Sequence, residues 1–501
     1  MFHKIIVQYF SISKNQQKFN DSIFALASGQ TKAGVSIIRI SGFNSLQAYQ
    51  FIQKENFEKL SNEQIQEKYQ IQPRYAYFKN FYSILDKNKQ IDKGIFIYFQ
   101  GPKSYTGEDV VEFHIHGSRA LQRKILYELS KINQFRLADQ GEFTKRALIN
   151  NKLDLMEVEG LADLLNSETE IQRQQSTNQF LGKSSQILEN WRFELIKALS
   201  NAEAFIDFES DQDDVEFNIL SQTQEQTQKI LNEIKNQLNN KNKGEIIRDG
   251  IKISIIGKPN SGKSTLLNCL AKKEIAIVSE IPGTTRDILS VVLNISGFPV
   301  ILYDTAGIRT TIDKIEEKGV NRAIQQAKES DIIILIVDIE DIDDKYQINI
   351  QQNEQLFQII DNEKYTVLTF INKIDLKENK IIHYIKIFDK EIPVQGYISA
   401  QNNTNINNLI DILSNTIQKK IEFQNDYIIE ENSIITQSRH RIELEKCMKH
   451  LEVFCFNQNN LQADLVCEEL RYAVNSIGKI TGRVDVEEVL DVLFKEFCIG
   501  K

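Results

Sequence analysis

Residues 257–264 (GKPNSGKS) have the composition and spacing of a phosphate-binding loop. An apolar run precedes the loop and a helical stretch follows from Thr265, so backbone N–H groups near the glycines would surround phosphates at a helix N-terminus. In such a loop Lys263 reaches the β- and γ-phosphates, and Ser264 binds Mg²⁺. The predicted phosphate contacts are Asn260, Ser261, Gly262, Lys263, Ser264 and Thr265.

Four later segments complete a guanine-nucleotide site in the expected order. Residues 283–287 (GTTRD) provide Thr285 as a second Mg²⁺ ligand, and Asp304 follows an apolar run, where an aspartate near the metal belongs. Asp375, in the segment NKID, can accept both N1–H and N2–H of guanine, a pattern that adenine does not offer. The set therefore favours GTP over ATP and over unrelated loops on a helicase or transporter scaffold. The predicted contacts are Ser279, Glu280, Ile281, Pro282, Gly283, Thr284, Thr285, Asp304, Thr305, Ala306, Gly307, Asn372, Lys373, Asp375, Ser399, Ala400 and Gln401.

The predicted hydrolysis machinery differs from that of small switch GTPases. Those proteins orient the attacking water with a Gln shortly after the glycine of the DxxG segment. Apolar Ile308 takes that place here. Glu316 and Arg309 are the candidate catalytic groups, although spacing alone favours a solvated charged loop for both.

Composition limits the function classes. The chain has 501 residues and a net charge of -9, which argues against a stand-alone nucleic-acid binder with a broad basic surface but not against RNA held jointly with a basic partner. No apolar run reaches 18 residues, so no membrane insertion is expected. The five scattered cysteines fit a reducing compartment. Residues 1–20 are basic and acid-free, which indicates either a mitochondrial transit segment or a plain flexible N-terminus.

Apolar periodicity predicts the elements that must position these residues. Residues 33–40, 93–99 and 110–115 read as strands and 121–129 as a helix, which makes 21–145 an α+β region. In the nucleotide region, the four predicted strands are buried runs that suit a mostly parallel sheet covered on both faces. These strands are residues 251–256, 300–303, 332–337 and 365–371.

Helical patterns lie on both sides of this α/β unit. The first runs from Phe143 to about Glu245, without any proline to interrupt it, and the second covers residues 435–497. They suggest one discontinuous helical domain into which the α/β unit is inserted. One apolar face of the first block is predicted to contain Leu181, Leu188, Trp191, Leu195 and Ala198.

With these motifs the sequence resembles the MnmE (TrmE) family of tRNA modification GTPases, including its mitochondrial form. The resemblance covers nearly the whole chain from Asp21, and a terminal FCIGK beside a GTPase core is highly specific. Its signatures are IIRISG (37–42), SYTGEDVVE (104–112), GEFTKRA (141–147), NNKLDLMEVEGLADL (150–164), GKPNSGKS, GTTRD, DTAGIR and FCIGK (497–501).

The resemblance implies a multidomain fold, α/β plus α+β, with a P-loop GTPase domain inserted in a helical domain. The implied segments are 1–20, a possible mitochondrial transit segment; 21–145, an α+β folate-binding and dimerisation domain; 146–248, the first helical part; 249–420, the GTPase domain; and 421–501, the second helical part with the CIGK motif. By the same analogy K⁺ is held by Asn260, Ser279, Ile281 and Thr284, and Glu316 orients the water, which reverses the preference drawn from spacing.

A folate site also follows from the resemblance. Its implied contacts are Arg39, Glu112, Lys152 and Lys501, and Cys498 lies near the folate with a role as nucleophile, acid or simple contact left open. A carboxylate such as Glu112 suits the donor–acceptor edge of a pteridine, and cations suit the glutamyl tail. The loops at 28–33 (SGQTKA) and 401–405 (QNNTN) depart from the family pattern.

The implied activity is modification of the wobble uridine (U34) of tRNA with a carboxymethylaminomethyl-type group at C5. Implied cofactors are GTP, Mg²⁺, K⁺ and 5,10-methylenetetrahydrofolate, with FAD on a partner. The implied partners are a second copy in a homodimer, an MnmG (GidA-type) flavoprotein in a hetero-oligomer, and tRNA. The expected location is the mitochondrial matrix, otherwise the cytoplasm.

Two other classes compete with this enzyme. A ribosome-assembly RNA-binding GTPase would usually carry a basic module after the GTPase domain, and the C-terminal block has no KH-type GXXG loop. A GTP-dependent membrane scaffold would need a lipidation signal or a basic amphipathic helix, and the CIGK ending fails the C-a-a-X pattern. Folate binding would separate the enzyme from both.

Overall fold

The computed structural model describes residues 19–29, 31–57, 59–208, 213–239, 242–273, 290–304, 325–343, 345–348, 365–376, 382–387, 390–421, 434–456, 463–484, 490, 493, 494, 497 and 500. The chain divides into two compact units. Unit 1 is Met1–Ala162, Gln179–Gln228 and Lys446–Lys501, and unit 2 is Asp163–Asn178 and Lys229–Glu445. The domain boundaries expected from the sequence remain a prediction.

Unit 1 contains a six-stranded sheet with the order β3-β4-β5-β2-β1-β6. All neighbours are antiparallel except β1 and β6, which are parallel. Alternating side chains bury one face under an aromatic-rich core, as expected for half-buried strands. The strands are β1 (Ser22–Leu26), β2 (Ala33–Gly42), β3 (Tyr77–Tyr82), β4 (Gln90–Phe99), β5 (Val110–Gly117) and β6 (Phe135–Leu137).

Unit 2 contains a seven-stranded sheet with the order β12-β13-β11-β10-β7-β9-β8. The five inner strands are parallel, and the edge strands β12 and β8 are antiparallel to their neighbours. Both faces are covered by apolar clusters, which confirms the predicted buried parallel sheet. The strands are β7 (Ile251–Ile256), β8 (Ser290–Ile295), β9 (Phe298–Asp304), β10 (Ile332–Asp338), β11 (Thr366–Asn372), β12 (Tyr384–Ile387) and β13 (Lys390–Tyr397).

The helices follow the predicted blocks, and Ser61 and Ser118 cap two of them through their hydroxyl oxygens. Short 3-10 turns cover Ser45–Tyr49 and Ile339–Asp341. The helices are α1 (Gln50–Gln53), α2 (Asn62–Tyr69), α3 (Arg119–Leu129), α4 (Glu142–Ile149), α5 (Leu155–Leu165), α6 (Glu170–Phe180), α7 (Lys183–Phe208), α8 (Asp213–Leu238), α9 (Lys243–Asp249), α10 (Lys263–Lys273), α11 (Ile406–Ile421), α12 (Ser438–Phe456) and α13 (Ala463–Thr481).

The two helical blocks meet inside unit 1, as the insertion hypothesis requires. Helix α13 packs along α7, and Arg471 of α13 binds Glu203 of α7 at 2.7 Å. After the turn that ends α13, Arg483 binds Glu189 at 3.1 Å. Segments about 280 residues apart in sequence therefore form one helical assembly.

One predicted core position is wrong. Leu188, Trp191 and Leu195 are buried on α7, but Leu181 is 65% exposed and lies in the turn before that helix. Gly182 adopts a left-handed φ of 77°, which ends α6 and interrupts the face that periodicity projected through both helices.

Candidate functional site

The phosphate-binding loop joins the buried strand β7 to helix α10, as predicted. A Cβ at Gly257 would overlap the carbonyl oxygen of Ile336, and one at Gly262 would overlap the side-chain amide of Asn372. Gly262 also has a φ of 97°, which favours glycine. Both glycines are therefore required by close approach, and the loop backbone stays open for phosphate at the start of α10.

The side chains of this loop are arranged for an anion and its metal. The ammonium of Lys263 donates to the carbonyl oxygens of Gly257 (2.9 Å) and Lys258 (2.6 Å), inside the loop that it would share with a phosphate. Ser264 and Thr265 are exposed in the first turn of α10, where Mg²⁺ would meet Ser264. Asn260 is exposed and adopts a left-handed φ of 65°. These residues fit a nucleotide phosphate with Mg²⁺.

Asn372 connects three of the predicted segments. Its side-chain amide donates to the carbonyl oxygen of Ser261 at 2.8 Å, and its side-chain oxygen accepts the backbone N–H of Ala400 at 3.0 Å. Asn372 is 2% exposed, so both bonds are shielded from water. The phosphate loop, the NKID segment and the Ser399–Gln401 loop are therefore fixed to each other through one amide.

The carboxyl ends of the parallel strands bring the remaining described residues to the same edge of the sheet. Asp304, the last residue of β9, lies in register with Ile255 of β7. Lys373 has a φ of 63°, and its ammonium binds the Asp338 carboxylate at 2.5 Å. Asp375 is exposed at this edge, as recognition of a guanine base requires.

The loop after Ala400, which departs from the family pattern, closes on itself. Ser399 and Thr404 exchange two backbone hydrogen bonds of 3.0 and 3.1 Å. Asn403 and Asn405 adopt left-handed φ values of 58° and 57°, a conformation that Asn tolerates better than other non-glycine residues. Asparagines thus supply the turn here without glycine.

Part of the predicted site lies outside the described residues. This includes the hydrolysis candidates, the switch segment with most K⁺ ligands, and two C-terminal folate-site residues. These residues are Ser279, Glu280, Ile281, Pro282, Gly283, Thr284, Thr285, Thr305, Ala306, Gly307, Arg309, Glu316, Cys498 and Lys501.

A second candidate site lies on the face of the unit 1 sheet opposite its aromatic-rich core. Arg39 and Glu112 are register partners on β2 and β5, and the Arg39 Nε lies 2.8 Å from the Glu112 Oε1. His114 Nε2 lies 3.3 Å from the other carboxylate oxygen. The Arg39 guanidinium stacks on Tyr105 at 5.1 Å and lies 6.0 Å from Phe143. A polar edge beside two aromatic rings fits a flat heterocycle such as a pteridine.

Lys152 and described residues near the C-terminus contact three separate segments of unit 1. The Lys152 side chain packs against Gly107, where an added Cβ would lie 3.3 Å from its Cγ. Phe494 packs against Gly141, and Gly500 lies against the end of β1, where a Cβ would be 2.8 Å from the carbonyl carbon of Leu26. Gly500 therefore reaches the N-terminal sheet within unit 1.

Sequence reasoning missed the charge cluster beside this face. Arg146 is fully buried and contacts Asp21 (2.8 Å), Glu108 (3.1 Å) and Glu142 (3.1 Å), and Arg136 also binds Asp21 and Glu142. Arg146 and Glu142 lie in the GEFTKRA segment, and Glu108 lies in SYTGEDVVE. A charged pair four residues apart inside an apolar helix was the available signal.

Burial and ion pairing shift the pKa values of three carboxylates of unit 1 in different directions. Burial alone would raise the pKa of Glu112, but hydrogen bonds from His114 and Arg39 hold it below its usual range. Burial also opposes ionisation of Glu142, and Arg136 and Arg146 nevertheless lower its pKa. For Glu108, burial outweighs Arg146 and Ser41, so its pKa is raised.

The two histidines of β5 each have a carboxylate partner of their own. His114 faces Glu112, and His116 Nδ1 lies 2.7 Å from Asp92. Within the described part of the chain, no three His, Cys, Asp or Glu side chains converge as a metal site. Every helix in the same part is too short or too polar to cross a bilayer.

Comparisons with known proteins agree with these features. The model of the MnmE helical domain matches residues 155–498, and that of the TrmE N-terminus matches residues 22–152. A protein of Rickettsia typhi named tRNA modification GTPase MnmE is 40% identical over 485 residues, which cover 96% of this chain and all of that protein. A Rickettsia akari protein of the same name is 38% identical with the same coverage.

A crystal structure of a single-residue variant of Aquifex aeolicus Era bound to GDP·AlF4⁻ matches with 28% identity and a TM-score of 0.25. It covers 40% of this chain and 66% of that one, a similarity too low to support the fold. The fold assignment rests instead on the two family models, the nucleotide-binding edge in unit 2 and the full-length identity to the Rickettsia proteins. The chain belongs to the MnmE family, with an α+β N-terminal domain and a P-loop GTPase domain inserted in a helical domain.

Proposed function

We propose that this protein is a GTP-hydrolysing enzyme of tRNA modification. The observation that carries the GTPase part is the Asn372 side chain, which ties the phosphate loop to the two base-recognition segments. Lys263 and Ser264 hold the phosphates and Mg²⁺, and Asp375 selects guanine. The relatives named above support the tRNA part, because they match over their full length.

The proposed hydrolysis step uses K⁺ and Glu316. The supporting observation is that Asn260 is exposed in the phosphate loop and has a left-handed φ. Ser279, Ile281 and Thr284 are the other proposed K⁺ ligands. When bound, K⁺ supplies positive charge against the transferring phosphoryl group, as an arginine finger does in other GTPases. Glu316 orients the attacking water.

The proposed one-carbon donor is 5,10-methylenetetrahydrofolate, on the face of the unit 1 sheet opposite its aromatic-rich core. The ionised Glu112, kept charged by Arg39 and His114, accepts hydrogen bonds from the donor edge of the pteridine. Tyr105 and Phe143 flank that edge, and Lys152 and Lys501 contact the acidic tail. Cys498 is two positions before Gly500, which lies against the end of β1, and its proposed role at the folate is that of nucleophile, acid or simple contact.

The proposed assembly is a homodimer that works with an MnmG-type flavoprotein carrying FAD. The product is a carboxymethylaminomethyl-type group at C5 of the wobble uridine. The acidic net charge of -9 supports an RNA held largely by the partner. The proposed location is the mitochondrial matrix. The basic, acid-free composition of residues 1–20 supports it. Fusion of those residues to a fluorescent protein tests it.

GTP hydrolysis by the purified protein in KCl and in NaCl tests the mechanism. Wild type is compared with Asn260→Ala and Glu316→Ala. We expect strong K⁺ stimulation that Asn260→Ala reduces, and slow hydrolysis by Glu316→Ala even in KCl. Equal wild-type rates in both salts would overturn the K⁺ assignment and favour a ribosome-assembly GTPase.

A further inference from the structure

Two arginines of helix α3 line a cavity on unit 1. Arg119 and Arg123 lie four residues apart, on one side of the helix, and are exposed. The cavity has a volume of about 620 Å³. This is within the size range of small-ligand sites, about 300–1,000 Å³. Its lining consists of Leu26, Thr31, Arg119, Gln122, Arg123, Leu126 and Leu137.

Arg119 and Arg123 differ from most other arginines of the chain in having no carboxylate partner among the described residues. Eight others contact an Asp or Glu at 3.1 Å or less. Like charges four residues apart on a helix repel each other. A cation in the first turn, such as Arg119, is also disfavoured by the helix dipole. An anion bound between the two guanidinium groups would remove both costs.

The rest of the lining consists of three leucines and the polar residues Thr31 and Gln122. Gln122 is 5% exposed and its amide donates to the Ser36 hydroxyl at 2.7 Å, which fixes α3 against β2. Leu26 and Leu126 are half-buried, while Leu137 is 52% exposed and offers an open apolar wall. A ligand with a flat apolar body and an attached anion satisfies both parts of this lining.

We propose that this cavity binds an unpaired nucleotide of tRNA, with the phosphate on Arg119 and Arg123 and the base against the leucine walls. Sequence-specific RNA recognition mostly uses unpaired loops, whose bases can be turned out into protein pockets between aromatic or apolar side chains while basic residues hold the phosphates. An acidic chain needs a local group of cations for this contact, and exposed Lys32, next to Thr31, adds a third. The inference rests on the proposed tRNA function and names a surface for it.

Binding of a fluorescent anticodon stem-loop by the full-length protein tests the proposal. The variant is Arg119→Ala/Arg123→Ala. The control is Arg173→Ala/Arg483→Ala, which removes the same charge from two half-exposed arginines elsewhere. We expect the α3 variant to bind about 10–100-fold more weakly and the control to match wild type. The slope of log K for binding against log salt concentration should become shallower by about 0.7 for each lost phosphate contact. GTP hydrolysis without RNA should stay unchanged in both variants.

The outcomes separate this proposal from the proposed function. If the wild type and the α3 variant bind the stem-loop with the same affinity, the cavity is not an RNA site. The proposed tRNA function is then unaffected. No wild-type binding, alone or with the flavoprotein, would overturn both. A second arm measures p-aminobenzoylglutamate, a free aromatic acid. If the α3 variant loses affinity for this acid but keeps RNA affinity, the cavity is a carboxylate site and the RNA proposal is wrong.

Discussion

The nucleotide-binding edge of unit 2 and the Arg39–Glu112 face of the unit 1 sheet hold their residues by different forces. At the nucleotide edge, glycines, backbone carbonyls and one neutral amide set the geometry, and the functional side chains Ser264 and Asp375 are exposed. On the unit 1 face, ion pairs set the geometry, from Arg39–Glu112 to the buried Arg146.

This difference teaches where each site is vulnerable. A loop defined by backbone conformation tolerates changes in its exposed side chains without unfolding, and it fails when a linking amide or a glycine is altered. A site built on partly buried charges fails when one partner is removed, since the other charge stays in a low-dielectric environment without compensation.

If charge holds the unit 1 face together, Arg146→Ala should show the largest effect. It leaves the largely buried Glu108 without its arginine, although Glu142 keeps Arg136, and should lower the free energy of unfolding by about 3–5 kcal/mol. Urea unfolding followed by circular dichroism measures this. Arg173→Ala is the control, because its exposed pair with Glu170 should be worth at most about 1 kcal/mol. Similar losses in both variants would contradict a special role for burial.

If one amide holds the nucleotide edge together, Asn372→Ala should weaken GTP binding about 100-fold. The substitution leaves the carbonyl oxygen of Ser261 and the N–H of Ala400 without this hydrogen-bond partner. The free-energy cost is about 1–3 kcal/mol for each buried group. Titration with a fluorescent GTP analogue measures the affinity. Asn407→Ala, which removes an exposed amide bound to Lys273 in the same unit, should bind GTP as wild type does.

Glu112→Gln separates charge from shape on the unit 1 face. The amide keeps the size of the side chain but gives Arg39 a neutral partner and offers a pteridine a weaker acceptor, so folate affinity should fall about tenfold or more. Calorimetric titration with a reduced folate measures it. Glu55→Gln, in an exposed pair with Lys68, is the control. Unchanged affinity in Glu112→Gln would remove this residue from the proposed folate site.

The smallest expected effect is on how the free energy of unfolding falls at acidic pH. Because the pKa of Glu142 is lowered in the folded protein, its contribution is present above the usual Glu range near 4.5 and is lost as pH falls through the lower folded value. Urea unfolding between pH 7 and pH 3 should show this loss, and Glu142→Gln should flatten it. A steeper acid limb in the variant would contradict this sign.

The sequence predicted the phosphate loop between β7 and α10 and the segments of Asn372 and Ser399 at the same sheet edge, because loops built on backbone conformation leave contiguous signals in glycines, short polar residues and preceding strands. The predicted contacts at 279–285 and 305–307 lie outside the described residues and stay a prediction. It also placed the two helical blocks and four of the five inner strands of the unit 2 sheet, β7, β9, β10 and β11, but not β13. It misplaced Leu181, because periodicity does not show where a glycine ends one helix and the next begins.

Only the tertiary structure decided which distant residues meet. Arg39 and Glu112 are 73 positions apart, and the resemblance, not any local pattern, named them together before strand register showed the contact. The contacts of Arg146 with Asp21 and Glu108, and the bridge made by Asn372, likewise depend on strands and helices separated by dozens of residues. Such contacts are fixed by sheet order and packing, which no local stretch of the sequence encodes.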